Sequence, residues 1–193
     1  FFVSADGLIV TNFHVASQLA LEPERYRGVY VTIDGQEGDV DLLAFDVQHD
    51  VAVLRTRQRT APAPVLEFRP AAEPLAQGER IYSLGNPLDI GFAVTEGTYN
   101  GLVRRSFYPR IFFGGALNPG MSGGPAVDDA GRVLGVNVAK RLDGEQVSFL
   151  IPAEFAQALV QRAANAQPIT QAAHAEMTRQ LMEHQQLLTD RFL

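Results

Sequence analysis

The chain has 193 residues, 46% hydrophobic and 20% charged, which leaves room for one filled domain with an appendage or for two small subdomains. Its formal net charge of −6 lacks the basic excess that attracts nucleic acid or an anionic membrane surface. Cysteine is absent, so disulfides and thiolate metal sites are excluded while either redox compartment stays open. No run approaches the roughly 18 apolar residues of a membrane span.

From residue 1 to about 151, short β runs alternate with turns. Strands are expected at FFV (1–3), LIV (8–10), VYVTI (29–33), DVDLLAF (39–45) and VAVLR (51–55). TAPAPVLEFRPAAEP (60–74) follows, too rich in proline to lie inside a central strand. Further strands are expected at ERIYSL (79–84), FAVTEGTYNGLV (92–103), RIFF (110–113), PAV (125–127), RVLGVNV (132–138) and VSFLI (147–151). Asp34–Gly35, Gly85–Asn86–Pro87, Asp129–Ala130–Gly131 and Asp143–Gly144 supply the turns. Many short strands at this spacing indicate an all-β sandwich or barrel. The proline stretch divides them into two barrels: one over about 1–58, the other over about 78–151.

Pro152 opens a helix over 152–165, in which Phe155, Ala158, Leu159 and Ala163 form a stripe able to dock on a barrel. Pro168 breaks it. The tail, 168–193, reads as a second helix with a rough stripe of Met177, Leu181, Leu188 and Phe192. It is a candidate for local docking, for contact with a second copy or partner, or for a link to a further domain. The first residue is Phe and no leader is visible, so the chain reads as an excerpt whose cellular address is not legible.

Three stretches carry chemistry. NPGMSGGPAVD (118–128) crowds glycine and proline around Ser122; LIVTNFHVAS (8–17) is read as a strand ending in His14; QHDVAVLR (48–55) places Asp50 at the start of an apolar strand. Taken singly, Ser122 is a turn residue, His14 a packed or surface histidine, and Asp50 a strand-start residue. Together, across a cleft between two barrels, they make a nucleophile, a base and an orienting carboxylate. A serine hydroxyl needs an imidazole to take its proton, and the imidazole needs a carboxylate to fix its tautomer. Gly120 allows its own N–H and that of Ser122 to converge as an oxyanion hole, while Gly123 and Gly124 allow close packing behind the nucleophile.

NFHVAS, HDVAVLR and NPGMSGGP resemble the three catalytic blocks of trypsin-like (chymotrypsin-fold) serine peptidases, and more narrowly the bacterial HtrA/Deg branch. SADGLIVTNFHV, LGNPLDIGFAVTEGTYNGLVR (84–104), GRVLGVNVAK and FLIPAEFAQAL (149–159) fall in the same order, so the resemblance covers nearly all of 1–165. It implies two six-stranded antiparallel barrels, the first incomplete at its N-terminus here, and peptide hydrolysis through an acyl-enzyme on Ser122. It also implies that neither cofactor nor metal is needed, and it favours an extracytoplasmic (periplasmic) bacterial setting. By the same resemblance Ala116, Leu117 and Asn118 form one wall of the substrate pocket and Asn137, Val138 and Ala139 the other. No acid lies at its base, so small aliphatic residues are expected before the cut. The substrate should be an unfolded or extended protein segment, adding as a strand along 136–139. Met121 departs from the pattern, since relatives carry Asn or Asp there to anchor the loop. RRSFYPRIFFGGAL (104–117) departs as well, replacing a more polar stretch.

The remaining features read blandly. His49 should point away from Asp50 across the strand, and His174 and His184 lie ten apart on a helix without sharing a face. Arg104, Arg105 and Arg110 read as solvated turn residues or as contacts for an acidic partner. Phe107, Tyr108, Phe112 and Phe113 read as core or cleft wall and not a base-stacking platform, because no basic groove accompanies them. Two rivals to the peptidase reading stay open: a trypsin-fold binding or scaffold protein, motivated by Met121, and an esterase or acyltransferase using the same triad.

Overall fold

The computed structural model describes residues 1–104, 106–142 and 145–192. In chain order these form β1 (Leu8–Thr11), α1 (Phe13–Leu21), β2 (Gly28–Val31), β3 (Glu37–Asp46), β4 (Val51–Thr56), β5 (Arg80–Gly85), a 3-10 turn (Pro87–Asp89), β6 (Ala93–Leu102), β7 (Ile111–Phe113), β8 (Pro125–Val127), β9 (Val133–Leu142), β10 (Glu145–Pro152), α2 (Ala153–Ala163) and α3 (His174–Phe192). The first half is an open antiparallel sheet in the order β1-β4-β3-β2. The second closes into a six-stranded barrel in the order β10-β7-β6-β5-β8-β9.

Strand β4 organises the first half, because every one of its residues is buried. A strand alternates its side chains between two faces. Ala52 and Leu54 accordingly pack with α1 and β3 against Phe13, Ala16, Leu42 and Phe45. Val51 and Val53 face the opposite way, into a cluster with Val136, Val138, Phe149 and Ile151 of the barrel and Ala156, Leu159 and Ala163 of α2. This seam is one apolar core contributed by both halves and by α2. A separate barrel core gathers Ile81, Ile111, Phe113, Leu117, Met121 and Leu134.

Several elements differ from the sequence reading. Residues 1–3 lie beside β1 as an isolated bridge, Phe2 to Ile9, with Val3 N–H donating to Leu8 O at 2.9 Å and Val10 N–H to Phe1 O at 3.0 Å. His14 does not end a strand. Asn12 turns the chain out of β1 and His14 lies in the first turn of α1. The helix buries Phe13, Ala16 and Ala20, which recur at helical spacing within a stretch whose apolar start reads as β. In α2 the docking stripe is Ala153, Ala156, Leu159 and Ala163; Ala158 is exposed. Phe113 is core, while Phe107 and Phe112 are each 51% exposed. The Asp143–Gly144 turn, Arg105 and the Phe192 side chain lie outside the described residues.

Candidate active site

The first N–H groups of a helix have no partner within it, and α1 has no acidic residue in its own first turn. Asp50, from the turn between β3 and β4, fills that place: its Oδ1 accepts the His14 backbone N–H at 2.9 Å. Its Oδ2 lies 2.7 Å from His14 Nδ1. One carboxylate therefore serves the helix start and holds the His14 ring through Nδ1. Asp50 itself takes a left-handed backbone, φ 55°, which Asp tolerates better than most residues. The buried Asn12 holds it there, its Nδ2 donating to the Asp50 carbonyl at 3.0 Å. The asparagine that ends β1 is thus a site residue that sequence reasoning passed over inside the NFHV block.

The serine arrives on a loop with alternating backbone use. Met121 N–H donates to Asn118 O at 3.1 Å, Gly123 N–H to Asn137 O at 3.0 Å and Gly124 N–H to Met121 O at 3.1 Å. Among the described residues no bond occupies the N–H of Gly120 or of Ser122. These are the two donors an oxyanion would take. Gly120 lies at φ 94°, where a Cβ would overlap the Asn86 carbonyl. Gly123 lies at φ 80°, and a Cβ there would overlap Thr11 Oγ1 and stand 3.1 Å from Asn12 N. The serine loop is thereby packed directly on the stretch that leads into His14. Ser122 Oγ accepts the Ala139 N–H at 3.2 Å; among the described residues no hydrogen bond joins it to His14. His14 and Asp50 are in contact, and Ser122 is their neighbour through the Gly123 packing.

Met121 is fully buried in the barrel core, so its thioether anchors the loop by packing where a polar side chain would anchor it by hydrogen bonds. Leu117 shares that core, and Val138 belongs to the seam. Asn137 is fully buried. Its Nδ2 donates to Leu84 O at 2.9 Å and its backbone N–H to Gly124 O at 2.9 Å. These groups brace the serine loop from behind. Of the six pocket residues expected, Ala116 is exposed and Asn118 and Ala139 are partly exposed. Asn137 and Ala139 share one edge of β9, since alternate residues direct their N–H and C=O the same way. Beyond Asn137, β9 pairs on its other edge with β10.

His49 packs its ring 3.8 Å from that of Phe155 and bonds Asp46 Oδ2 through Nδ1 at 2.7 Å. Burial pushes the Asp46 carboxyl up, but the His49 ring and backbone N–H groups and the charges of His49 and Arg162 outweigh it and hold Asp46 below the usual range. Arg110 lies over the Phe149 ring at 4.5 Å, and Arg104 is exposed. Among the described residues no group of three or more His, Cys, Asp or Glu could hold a metal ion, and no helix is long and apolar enough to cross a membrane.

An open sheet facing a closed six-stranded barrel, with a His–Asp pair on one side and a glycine-bounded serine on the other, is the chymotrypsin-like arrangement of serine peptidases. Residues 1–136 match the trypsin-like peptidase domain, and the chain belongs to that family. Within it the similarity runs to the HtrA/Deg group. The chain is 35% identical over 166 residues to HhoB of Synechocystis sp., covering 81% of this chain and 38% of that protein. It is 34% identical over 169 residues to a DegP-like periplasmic serine endoprotease of Bartonella henselae, covering 84% and 32%. The solved structure of the HtrA-type protease AlgW with tripeptide superposes with a TM-score of 0.73 and 27% identity, over 85% of this chain and 54% of that one. The chain spans about a third of the length of the curated relatives it matches.

Proposed function

We propose that the chain carries a serine endopeptidase, with residues 1–165 as its catalytic domain and 168–193 as a helical extension. The observation that carries this reading is the His14–Asp50 pair, bonded through ring and main chain alike, with the Ser122 loop packed on the same stretch. On this reading Ser122 Oγ leaves the Ala139 N–H and turns to His14 Nε2 by a change of side-chain rotamer. The imidazole then accepts the hydroxyl proton as Oγ attacks the scissile carbonyl, and the Gly120 and Ser122 N–H groups receive the oxyanion. The same proton passes to the leaving amine. Water, deprotonated by His14, then attacks the acyl-enzyme and releases the acid.

The β9 edge that carries the Ala139 N–H suits an extended chain once Ser122 Oγ has turned away, and the chain would add there by main-chain hydrogen bonds. Substrates are therefore unfolded or extended protein segments. The exposed Ala116 and the partly exposed Asn118 and Ala139 line a shallow pocket for a small aliphatic residue before the cut, with the buried Leu117, Asn137 and Val138 behind it. The periplasmic relative supports an extracytoplasmic setting. Contact with a second copy or partner belongs to the outer face of α3, where Leu181, Met182 and Leu187 are exposed.

One observation favours the rival reading of a trypsin-fold binding protein without turnover, namely the bond that turns Ser122 Oγ toward Ala139. Incubation with a fluorophosphonate, followed by peptide mapping and by digestion of unfolded casein, tests both. The expected result is an adduct on Ser122 and cleavage that is lost in Ser122→Ala. An intact protein that never labels under any activating condition favours the rival.

A further inference from the structure

The turn that presents Asp50 is held from outside by the C-terminal helix. Gln180, partly buried in the middle of α3, accepts the Val47 backbone N–H on Oε1 at 2.8 Å. Its Nε2 donates to Phe45 O at 3.0 Å and to Glu176 Oε1 at 2.8 Å. Its own carbonyl receives Gln48 Nε2 at 2.8 Å. The amide thus uses its acceptor and both its donors, reading the main chain of the β3–β4 turn much as a neighbouring strand would. Among the described residues, Val47 N–H and the Gln48 amide have no other partner. Helix α3 is pinned on either side of this contact. Met177 packs against the β3–β4 core, the segment before the helix bonds through Ile169 N–H to Leu42 O at 2.8 Å, and the Tyr108 hydroxyl bonds His184 Nδ1.

We infer that Gln180 is a positioning residue for Asp50: by fixing residues 45–48 it sets the seat from which that carboxylate holds His14. Nothing in the sequence pattern marks Gln180, because its partners around the β3–β4 turn lie more than 130 positions away. The inference rests on the peptidase reading only for its catalytic consequence. The seat itself has a readout that needs no turnover, because the His14 amide hydrogen is held by Asp50 Oδ1.

The test is Gln180→Met, which keeps length and volume while removing the polar contacts. Backbone hydrogen exchange is followed by NMR in the full chain, alongside hydrolysis of a peptide substrate. Loss of the two side-chain bonds to residues 45 and 47 predicts roughly a tenfold or greater rise in His14 exchange, with Val136 in the barrel unchanged. It also predicts a comparable fall in kcat at constant KM. Unchanged His14 exchange overturns the inference. So does a uniform rise that includes Val136, or a change confined to KM. Should Gln180→Met fail to fold, Gln48→Ala removes only the bond to the Gln180 carbonyl, and the same signs are required of it. If the parent shows no hydrolysis, the peptidase reading fails and the exchange measurement alone decides the seat.

Discussion

Replacing Met121 by Asn puts into this chain a residue that resemblance associates with the position, and the structure gives it an unfavourable sign. The Met121 side chain is fully buried among Ile81, Ile111, Phe113 and Leu117. Losing its burial costs about 1.5–3 kcal/mol, and an amide left unpaired in that core costs about 1–3 kcal/mol more. The expected destabilisation is about 2.5–6 kcal/mol, a large share of the roughly 5–15 kcal/mol typical of a domain. Met121→Leu conserves volume and should cost less than about 1.5 kcal/mol. The chain has no tryptophan, so urea unfolding is best followed by far-UV circular dichroism, with fluorophosphonate labelling rates measured in native buffer. A Met121→Asn protein as stable as its parent would refute the claim that packing anchors this loop.

Other outcomes follow from the same geometry. Asp50→Asn keeps the shape but loses the acceptor for the His14 ring, so kcat should fall by about 10⁴; loss of the charge at the start of α1 should also lower stability by about 0.3–1 kcal/mol in urea unfolding. Gly123→Ala forces a Cβ into Thr11 Oγ1 at a positive φ, and should slow Ser122 labelling and lower stability by about 1–3 kcal/mol; wild-type labelling would show that the loop is not seated on Thr11. Asp46 has a depressed pKa in the fold, so its contribution is complete above the ordinary range near pH 4 and is lost as pH falls through the lower folded value. The stability gap between parent and Asp46→Asn in urea should therefore be flat from about pH 5 upward and shrink below about pH 4.

The barrel strands were legible because apolar runs and turn dipeptides punctuate them, and the serine loop because only glycine meets its positive φ values. Helix α1 was not legible: Asn12 makes no side-chain cap bond, and the acidic group that serves the helix start comes from Asp50, far along the chain. The open sheet shows the same limit. Residues 1–3 run beside β1, bonded through Val3 N–H to Leu8 O and Val10 N–H to Phe1 O, but are too short to make more than a bridge. Leu117 and Asn137 were expected as pocket lining by resemblance alone, and both are fully buried, Leu117 in the barrel core and Asn137 behind the serine loop. Gln180 was invisible for a related reason, as an amide on an exposed-looking helix acquires a task only where the helix lands.

The seam core has a consequence for synthesis. Its walls come from β1 and β4, from β9 and β10, and lastly from α2, so a nascent chain that stops short of Ala153 lacks one wall entirely. The histidine and serine segments meet only where the two halves abut. The cleft between the histidine and serine segments is therefore complete only once α2 has closed the seam behind it.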